Sequence, residues 1–485
     1  MATLGEKYEA VIGLEVHCQL LTDSKLFSNA SAAFGAPPNT EVSPVDMGLP
    51  GVLPVVNRRA VEFAMRAGLA VEADINRWSQ FARKNYFYPD LPKGYQISQH
   101  EYPLCEDGEL EIELEDGETK TIGIQRIHLE EDAGKSTHLE YEPHSLVDLN
   151  RCGVPLIEIV SKPDIRTPEE ARAYMKQLRD IVVWLGINDG DMSEGSLRCD
   201  ANVSIRRTGA EEFGTRTELK NINSFKFVHD GLAYEIERQI DVLESGGEVV
   251  QETRLYDVDE GKTFGMRSKE ESHDYRYFPE PDLPPLVIDD DWLDGVRASL
   301  PEMPAEKRRR YRDEFGLGDY DAGVLTSDRS VAEFFEKVVA GEPAAPKSVA
   351  NWIINELMSA LNERDETIDT ATLTAGELAT IIGLVADETI SQNAGKEVID
   401  EMLESGGDPE TIVEERGLEQ VSDESELAGI VGEIIEDNPD EVEAYREGKK
   451  QLIGWFIGQV MQATQGKANP KVARELLQTE LEGQG

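Results

Sequence analysis

The chain has 485 residues, with 96 Asp plus Glu against 48 Lys plus Arg, a formal net charge of -48 at pH 7. A field of that sign repels polyanions at ordinary ionic strength, which makes nucleic acid the last partner to expect from charge alone. Hydrophobic residues at 39% with recurrent apolar runs argue against a disordered chain.

From the N-terminus, Val11 to Leu20 alternates, predicting a strand with Glu15, His17 and Gln19 on one face and Ile12, Leu14, Val16, Cys18 and Leu20 toward a core. The same pattern in Ile122–Glu131 puts Arg126, His128 and Glu130 on one face. Val154–Val160 reads as a strand buried on both sides, so Glu158 within it needs a cation or a dense set of donors. A helix is predicted over Pro168–Leu185. Ser196–Arg206 follows, with Arg198, Asp200, Asn202, Ser204 and Arg206 opposite Leu197, Cys199, Ala201, Val203 and Ile205. In Thr215–Asn221, Arg216, Glu218 and Lys220 share a face, and Asn223–Glu244 reads as a helix. Such strands belong to an antiparallel sheet with one face packed and one wet.

The proline-dense Asp274–Pro285 marks a boundary. Beyond Asp291 the period becomes helical, with helices predicted at Pro304–Phe315, Ser327–Ala340, Lys347–Ala360, Ala375–Ser391 and Gly395–Ser405. Ser405-Gly406-Gly407-Asp408-Pro409 is a second break. The expectation is an α+β fold: an antiparallel-sheet domain over 1–290, a helical domain over 291–406 and a small helical tail over 407–485. No run approaches the ~20 apolar residues of a membrane helix, and the start lacks a signal sequence, which predicts a cytoplasmic protein without membrane contact. Cys18, Cys105, Cys152 and Cys199 are widely separated, against both a disulfide scaffold and a zinc ribbon.

The charge is uneven. Glu401–Glu447 holds 17 acids against Arg416 and Arg446, whereas Gly448–Arg474 holds none. That window carries Lys449, Lys450, Lys467, Lys471 and Arg474 around Trp455 and Phe456. It is either a polyanion contact or a segment whose charges are missing because Leu452–Val460 is a buried helix. Elsewhere the excess is broad, as in halophiles. At about 1 M salt the Debye length is ~3 Å, and an acidic surface is scarcely felt by a phosphate.

Glu130, Glu131 and Asp132 form a self-repelling run that a divalent cation would relieve. Carboxylates with one imidazole favour Mg²⁺ or Mn²⁺ over zinc, and such metals beside Arg and Lys suit phosphoryl transfer. Gly134-Lys135-Ser136 is not a P-loop, because Leu129 stands where the first glycine belongs. No GxSxG elbow or GxGxxG turn follows a strand.

The runs Gly13–His17, His128–Lys135, Asp148–Ser161, Arg198–Ser204, Glu218–Phe225, Asp274–Pro285 and Gly466–Pro470 together resemble the GatB/GatE family, over essentially the whole chain. The resemblance implies a ligase forming carbon–nitrogen bonds with glutamine as amido donor. In this family the B subunit uses ATP and Mg²⁺ to phosphorylate the side-chain carboxylate of Asp or Glu carried by a misacylated tRNA. Ammonia from the amidase, the A subunit, then displaces phosphate, and a small C subunit clamps the other two in a heterotrimer. The implied fold is an antiparallel cradle, a helical domain and a tail that contacts tRNA. Glu15, His17, Glu130 and Glu158 match the family's metal-centred catalytic site, with Glu131 and Asp200 as further ligand candidates. Arg198, Asn202, Glu218 and Lys220 are candidates for holding phosphates or lining the ammonia route. Lys449, Lys450, Lys467, Lys471 and Arg474 are the candidates for tRNA contact.

The resemblance also leaves choices open. Many relatives carry paired cysteines in the region where this chain has Ser28, Ala30, Ser43 and Asp46, so no structural zinc is expected and packing and turns must hold that loop. A related Gln-specific protein carries a large extra domain for which this chain has little room. A non-catalytic tRNA-binding or assembly protein is the alternative of another class. The combination of family and acid excess points to a halophilic archaeon as source.

Overall fold

The computed structural model describes residues 7–138, 144–266, 275–421, 424–464 and 466–483; Asp274 and Asp423 lie outside them. The alternating segments pair side by side. Tyr8–Gln19 runs between Pro155–Ser161 and Leu197–Arg207, antiparallel to both. Among the described residues nine strands join this sheet. Beyond Pro155–Ser161 come Thr119–Glu131, Cys105–Glu113 and Asp74–Ile75; beyond Leu197–Arg207 come Thr217–Lys220, Thr253–Asp257 and Lys262–Gly265. One pair departs from the antiparallel expectation: Thr217–Lys220 and Thr253–Asp257 are parallel. The helix Phe225–Glu244 between them is the crossover that a parallel pair requires.

The apolar face of the sheet packs on Arg58–Ala70, Pro168–Trp184 and Phe225–Glu244. Ile12, Leu14, Val16, Ile157, Ile159 and Val203 are fully buried there. Caps set the helix starts. Thr167 accepts a hydrogen bond from the Glu170 amide, and Ser224 accepts one from the Phe227 amide. Arg58–Ala70 is a helix that the sequence pattern does not announce; Asn57 caps it through the amides of Arg59 and Ala60. A small sheet of Phe278–Pro279, Phe81–Asn85 and Tyr95–Gln99 is fastened to the Thr119–Glu131 strand, where the Gln99 side chain accepts from the Leu129 amide at 3.1 Å.

The chain divides into one compact unit up to Met303 and another from Pro304. The helix Asp290–Ala298 packs on the first unit through Leu293 and Val296, and the Arg58 guanidinium lies 4.3 Å from the Trp292 ring centre. The second unit has one core around Phe335, Ile353 and Ile381 and another around Leu427, Phe456 and Leu477. The Val421 amide donates to the Lys467 carbonyl at 2.7 Å and Asn469 to Glu388 at 2.7 Å, joining them. The helix expected over Lys347–Ala360 has a wide π turn at Trp352–Leu357, which sets the Trp352 ring so close to Gly395 that a Cβ there would lie 2.8 Å from it. Among the described residues no helix is long and apolar enough to cross a membrane.

Two buried ionic centres hold the first unit together. The loop with Ser28, Ala30, Ser43 and Asp46 is organised by an ion pair rather than by packing and turns alone. Lys25, 0% exposed, places Nζ 3.1 Å from Asp46 and 2.6 Å from the Glu41 carbonyl. Asp46 also accepts from the Ser28 hydroxyl at 2.9 Å and the Ser43 amide at 2.8 Å. On the Phe225–Glu244 helix, the buried Glu235 accepts from Thr217, Arg238, Gln239 and Thr263. Burial opposes its charge, but the hydrogen bonds from Arg238 and Gln239 outweigh that and hold its carboxyl below the ordinary value.

Lys25→Met leaves Asp46 buried without its cation and is expected to cost about 3–5 kcal/mol in denaturant unfolding at pH 7. A loss under about 1 kcal/mol would show that the pair does not organise the loop. For Glu235 the folded pKa is depressed, so its stabilisation is present above an unfolded value of about 4.3 and fades as pH falls through the folded value. The stability advantage over Glu235→Gln is therefore expected to shrink with acidification below about pH 4. Urea titrations of both proteins across that range check the sign.

Candidate active site

Strand register builds the site. His17 lies opposite Glu158 on one side and Arg198 on the other, and Glu158 lies opposite His128. One row across four strands therefore reads Arg198, His17, Glu158, His128. Glu130, two residues beyond His128, faces the same side. His17 Nε2 is 3.7 Å from a Glu130 oxygen and 3.6 Å from a Glu158 oxygen. His128 Nε2 is 3.3 Å from Glu158 and 3.7 Å from Glu130. The Ser98 hydroxyl donates to Glu130 at 3.0 Å.

The charges support one another. Burial disfavours a cation at His128, but the charges of Glu158 and Glu130 beside it raise its pKa to about 9. At His17 burial is likewise overcome by Glu158 and Glu130, and the pKa is raised. Glu158 is held well below the ordinary carboxylate value and Glu130 below it, the imidazoles outweighing burial in each. The two carboxylates thus favour positive charge between them, and each imidazole faces that place through Nε2.

A ligand atom from each of His17, Glu130 and Glu158 lies within 4.8 Å of the others. Two hard carboxylates and one imidazole, with the His17 side chain partly open to solvent, fit a divalent cation such as Mg²⁺. Glu15, Glu131 and Asp200 stand outside that set among the described residues. Glu131 corrects the sequence reading most clearly. Consecutive strand residues face opposite ways, so it turns from Glu130 to Lys93 and accepts from the Ile97 amide at 2.9 Å. Asp132 is paired with Arg198 at 2.8 Å and Arg151 at 3.6 Å. The three acids are relieved by separate cations, not by one shared metal. Asp200 is taken by Lys220 at 2.6 Å. Glu15 accepts from Asn202 at 2.9 Å, and burial with the charge of Glu158 raises its pKa.

Of the second group, Arg198 reaches Asp132, Lys220 reaches Asp200 and, at 3.1 Å, Glu218, and Asn202 holds Glu15. Asn202 also lines a cavity of about 270 Å³ with Gly13, Glu15, Ser204, Phe213 and Arg216. Gly13 shares the face of Glu15, so any side chain there would enter the cavity.

His128 and Lys84 join the site without having been among the expected residues. His128 shows a signal, since it alternates with Glu130, but its place beside Glu158 depends on a register that spans distant segments. Lys84 comes from the small sheet; burial disfavours its charge, yet Glu130, Tyr277 and Glu158 raise its pKa. In the tail, Lys450 pairs with Glu482 at 2.8 Å and Lys471 lies 3.9 Å from Glu388. Lys449 and Arg474 are exposed and Lys467 half-buried. The helix Ile453–Ala463 is only half-buried: Phe456 and Val460 face the core, while Trp455 is 38% exposed. Burial alone therefore does not account for the missing acids.

Residues 10–294 match the model of the GatB/GatE catalytic domain, and residues 333–481 match that of the GatB domain. The chain is similar to the B subunit of the aspartyl/glutamyl-tRNA(Asn/Gln) amidotransferase of Halorhodospira halophila, at 56% identity over 98% of this chain and 100% of that protein. The proteins of the same name from Thioalkalivibrio sulfidiphilus and Geotalea uraniireducens are 54% and 56% identical, again over 98% of this chain and 100% of theirs. These organisms are bacteria, so the comparison does not support the archaeal source expected from the sequence.

Proposed function

This chain belongs to the GatB/GatE family, whose members serve tRNA-dependent amidation, and on that premise we propose that its sheet face phosphorylates the side-chain carboxylate of Asp or Glu esterified to tRNA. The observation that carries the proposal is the row of His17, Glu158 and His128 with Glu130 beside it, on the same strand face as Glu15, which lines the cavity. The family makes the chain part of a ligase-type amidotransferase complex, and its relatives are each named as one subunit, so it works with partner subunits. In our reading these are the glutamine-hydrolysing amidase (the A subunit) and the small C subunit. The family does not favour a purely binding or assembly role.

The cavity takes the nucleoside end of ATP, with the Phe213 ring at its rim and Arg216 available to a phosphate. Mg²⁺ held by His17, Glu130 and Glu158 would neutralise charge on the transferring phosphoryl group. The substrate carboxylate oxygen attacks the γ-phosphorus, the bond to the β–γ bridging oxygen breaks, and ADP leaves. Ammonia then attacks the acyl carbon, phosphate leaves with the bonding electrons, and a proton is released from nitrogen. His128 keeps Glu158 and Glu130 in place through Nε2. Arg198 and Lys220, each with a carboxylate partner, keep positive charge beside the path on which phosphate charge develops. The reaction belongs in the cytoplasm, where acylated tRNA is found.

Glu130→Gln is expected to abolish ATP-dependent phosphorylation of misacylated tRNA while leaving tRNA affinity within about twofold, as read by acyl-phosphate trapping and filter binding. Undiminished phosphorylation removes the catalytic assignment. Replacing Lys449, Lys450, Lys467 and Lys471 together with Gln is expected to weaken tRNA binding and lower its salt slope, by about 0.9 per lost phosphate contact. Unchanged affinity and slope would make the basic window structural only.

A further inference from the structure

The segments flanking the strands of the small sheet carry a series of rings that the reaction itself does not use. His100 stacks on Tyr277 with centroids 4.0 Å apart and planes 15° apart. Tyr277 meets Tyr275 at 6.0 Å, Tyr275 meets Tyr86 at 6.0 Å, and Tyr86 meets Tyr88 at 6.2 Å. Next to Tyr88, itself 53% exposed, Phe87 is 88% exposed. Phe87 lies against Gly94, whose φ is +75° and where a Cβ would come within 3.1 Å of the ring. The backbone fixes the series: Asn85 donates through its amide to the Tyr275 carbonyl at 3.0 Å and through its side chain to the Arg276 carbonyl at 2.9 Å.

The same strand ties the rings to the chemistry. Lys84 Nζ is 4.9 Å from the Tyr275 ring centre, and Ser98 on the neighbouring strand donates to Glu130. A ring as exposed as that of Phe87 is costly against water, because exposed aromatic area is unfavourable. Apart from His100 on Tyr277 the rings meet edge to face, which leaves ring faces open to a flat ligand; unpaired nucleotides suit such faces, since every base has a π-face and stacking tolerates any sequence. Stacking also needs no net charge, which matters in a chain of net charge -48 that repels phosphates.

We propose that the rings of Phe87, Tyr88, Tyr86, Tyr275 and Tyr277 form a stacking wall for the unpaired 3′-terminal nucleotides of the acylated tRNA. The inference rests on the reading above, because an amino acid esterified to the terminal ribose reaches Glu158 only if the last nucleotides lie against the neighbouring surface. The wall holds those bases, and the acyl group turns from them toward the carboxylate–imidazole row. ATP occupies the separate cavity at Gly13 and Phe213.

The test uses the full chain in its amidotransferase complex, with a Phe87→Ala/Tyr88→Ala double variant and a Phe87→Tyr/Tyr88→Phe variant that keeps both rings. With tRNA carrying 2-aminopurine as its terminal base, the native complex is expected to quench the probe and the double alanine variant to lose the quenching. Affinity for intact tRNA should fall about tenfold or more, while affinity for tRNA trimmed of its last three nucleotides should not change. The ring-keeping variant should restore both. An equal loss for trimmed and intact tRNA, or no loss for either, overturns the proposal. A rise in KM for ATP with quenching intact also overturns it, by placing the adenine of ATP on the wall. Quenching that persists in Glu130→Gln while phosphorylation continues there would sink the catalytic assignment and leave the stacking wall standing.

Discussion

An ionised carboxylate in the middle of a sheet sets the terms for the rest of this structure. Glu158 is 8% exposed, between Ile157 and Ile159, which are fully buried on the opposite face. A charge in that position is costly unless paired and hydrogen-bonded. Its compensation comes from both neighbouring strands at once, His17 on one and His128 on the other. That is possible only at one register. Because side chains repeat every two residues, a slip of one residue would send His17 into the core and Ile157 to the site. The apolar set Ile12, Leu14, Val16 and Cys18 therefore does more than stabilise the fold: by refusing the wet face, it aligns the ionisable groups.

The same rule governs the other charges inside the protein. Lys25 with Asp46, Lys93 with Glu131, Arg83 with Glu280, and Glu235 with its arginines are all buried or nearly so, and each acid there has a cation. Arg83 grips Glu280 through two nitrogens, at 2.7 and 2.9 Å, which closes the small sheet that carries the aromatic series. The acid excess is therefore a property of the surface, where water solvates it. Glu482 within the tail and Glu388 before it draw on Lys450 and Lys471, so the basic window is less positive in space than along the chain.

Electrostatics also divides the sheet face into regions with different tasks. Between the imidazoles, Glu130 and Glu158 are held ionised and ready for a cation. One row away, Glu15 has its pKa raised by burial and by Glu158. Arg198 and Lys220 each hold a carboxylate, Asp132 and Asp200. A single antiparallel surface thus presents anionic, mixed and cationic sites within a few residues, because adjacent strands come from distant parts of the sequence.

Alternation in the sequence by itself determined which residues of the alternating strands face the core and which face the site, and it placed Glu15, His17, Glu130, Arg198 and Asn202 on wet faces; Glu158 stood out instead as a charge inside an apolar run. The helix from Pro168 was legible too, whereas its cap at Thr167 is seen in the structure. The motifs also sufficed to show the family. What only the tertiary structure decided was who meets whom across strands. Glu131 read as a ligand because it adjoins Glu130 in sequence, whereas the pleat turns it to Lys93. His128 and Lys84 gained their places from pairing between segments dozens of residues apart, and the Lys25–Asp46 pair from the folding of a loop that has no periodicity. Local pattern fixes the direction of a side chain through backbone geometry; the partner it finds depends on register, and register is settled by the whole core at once.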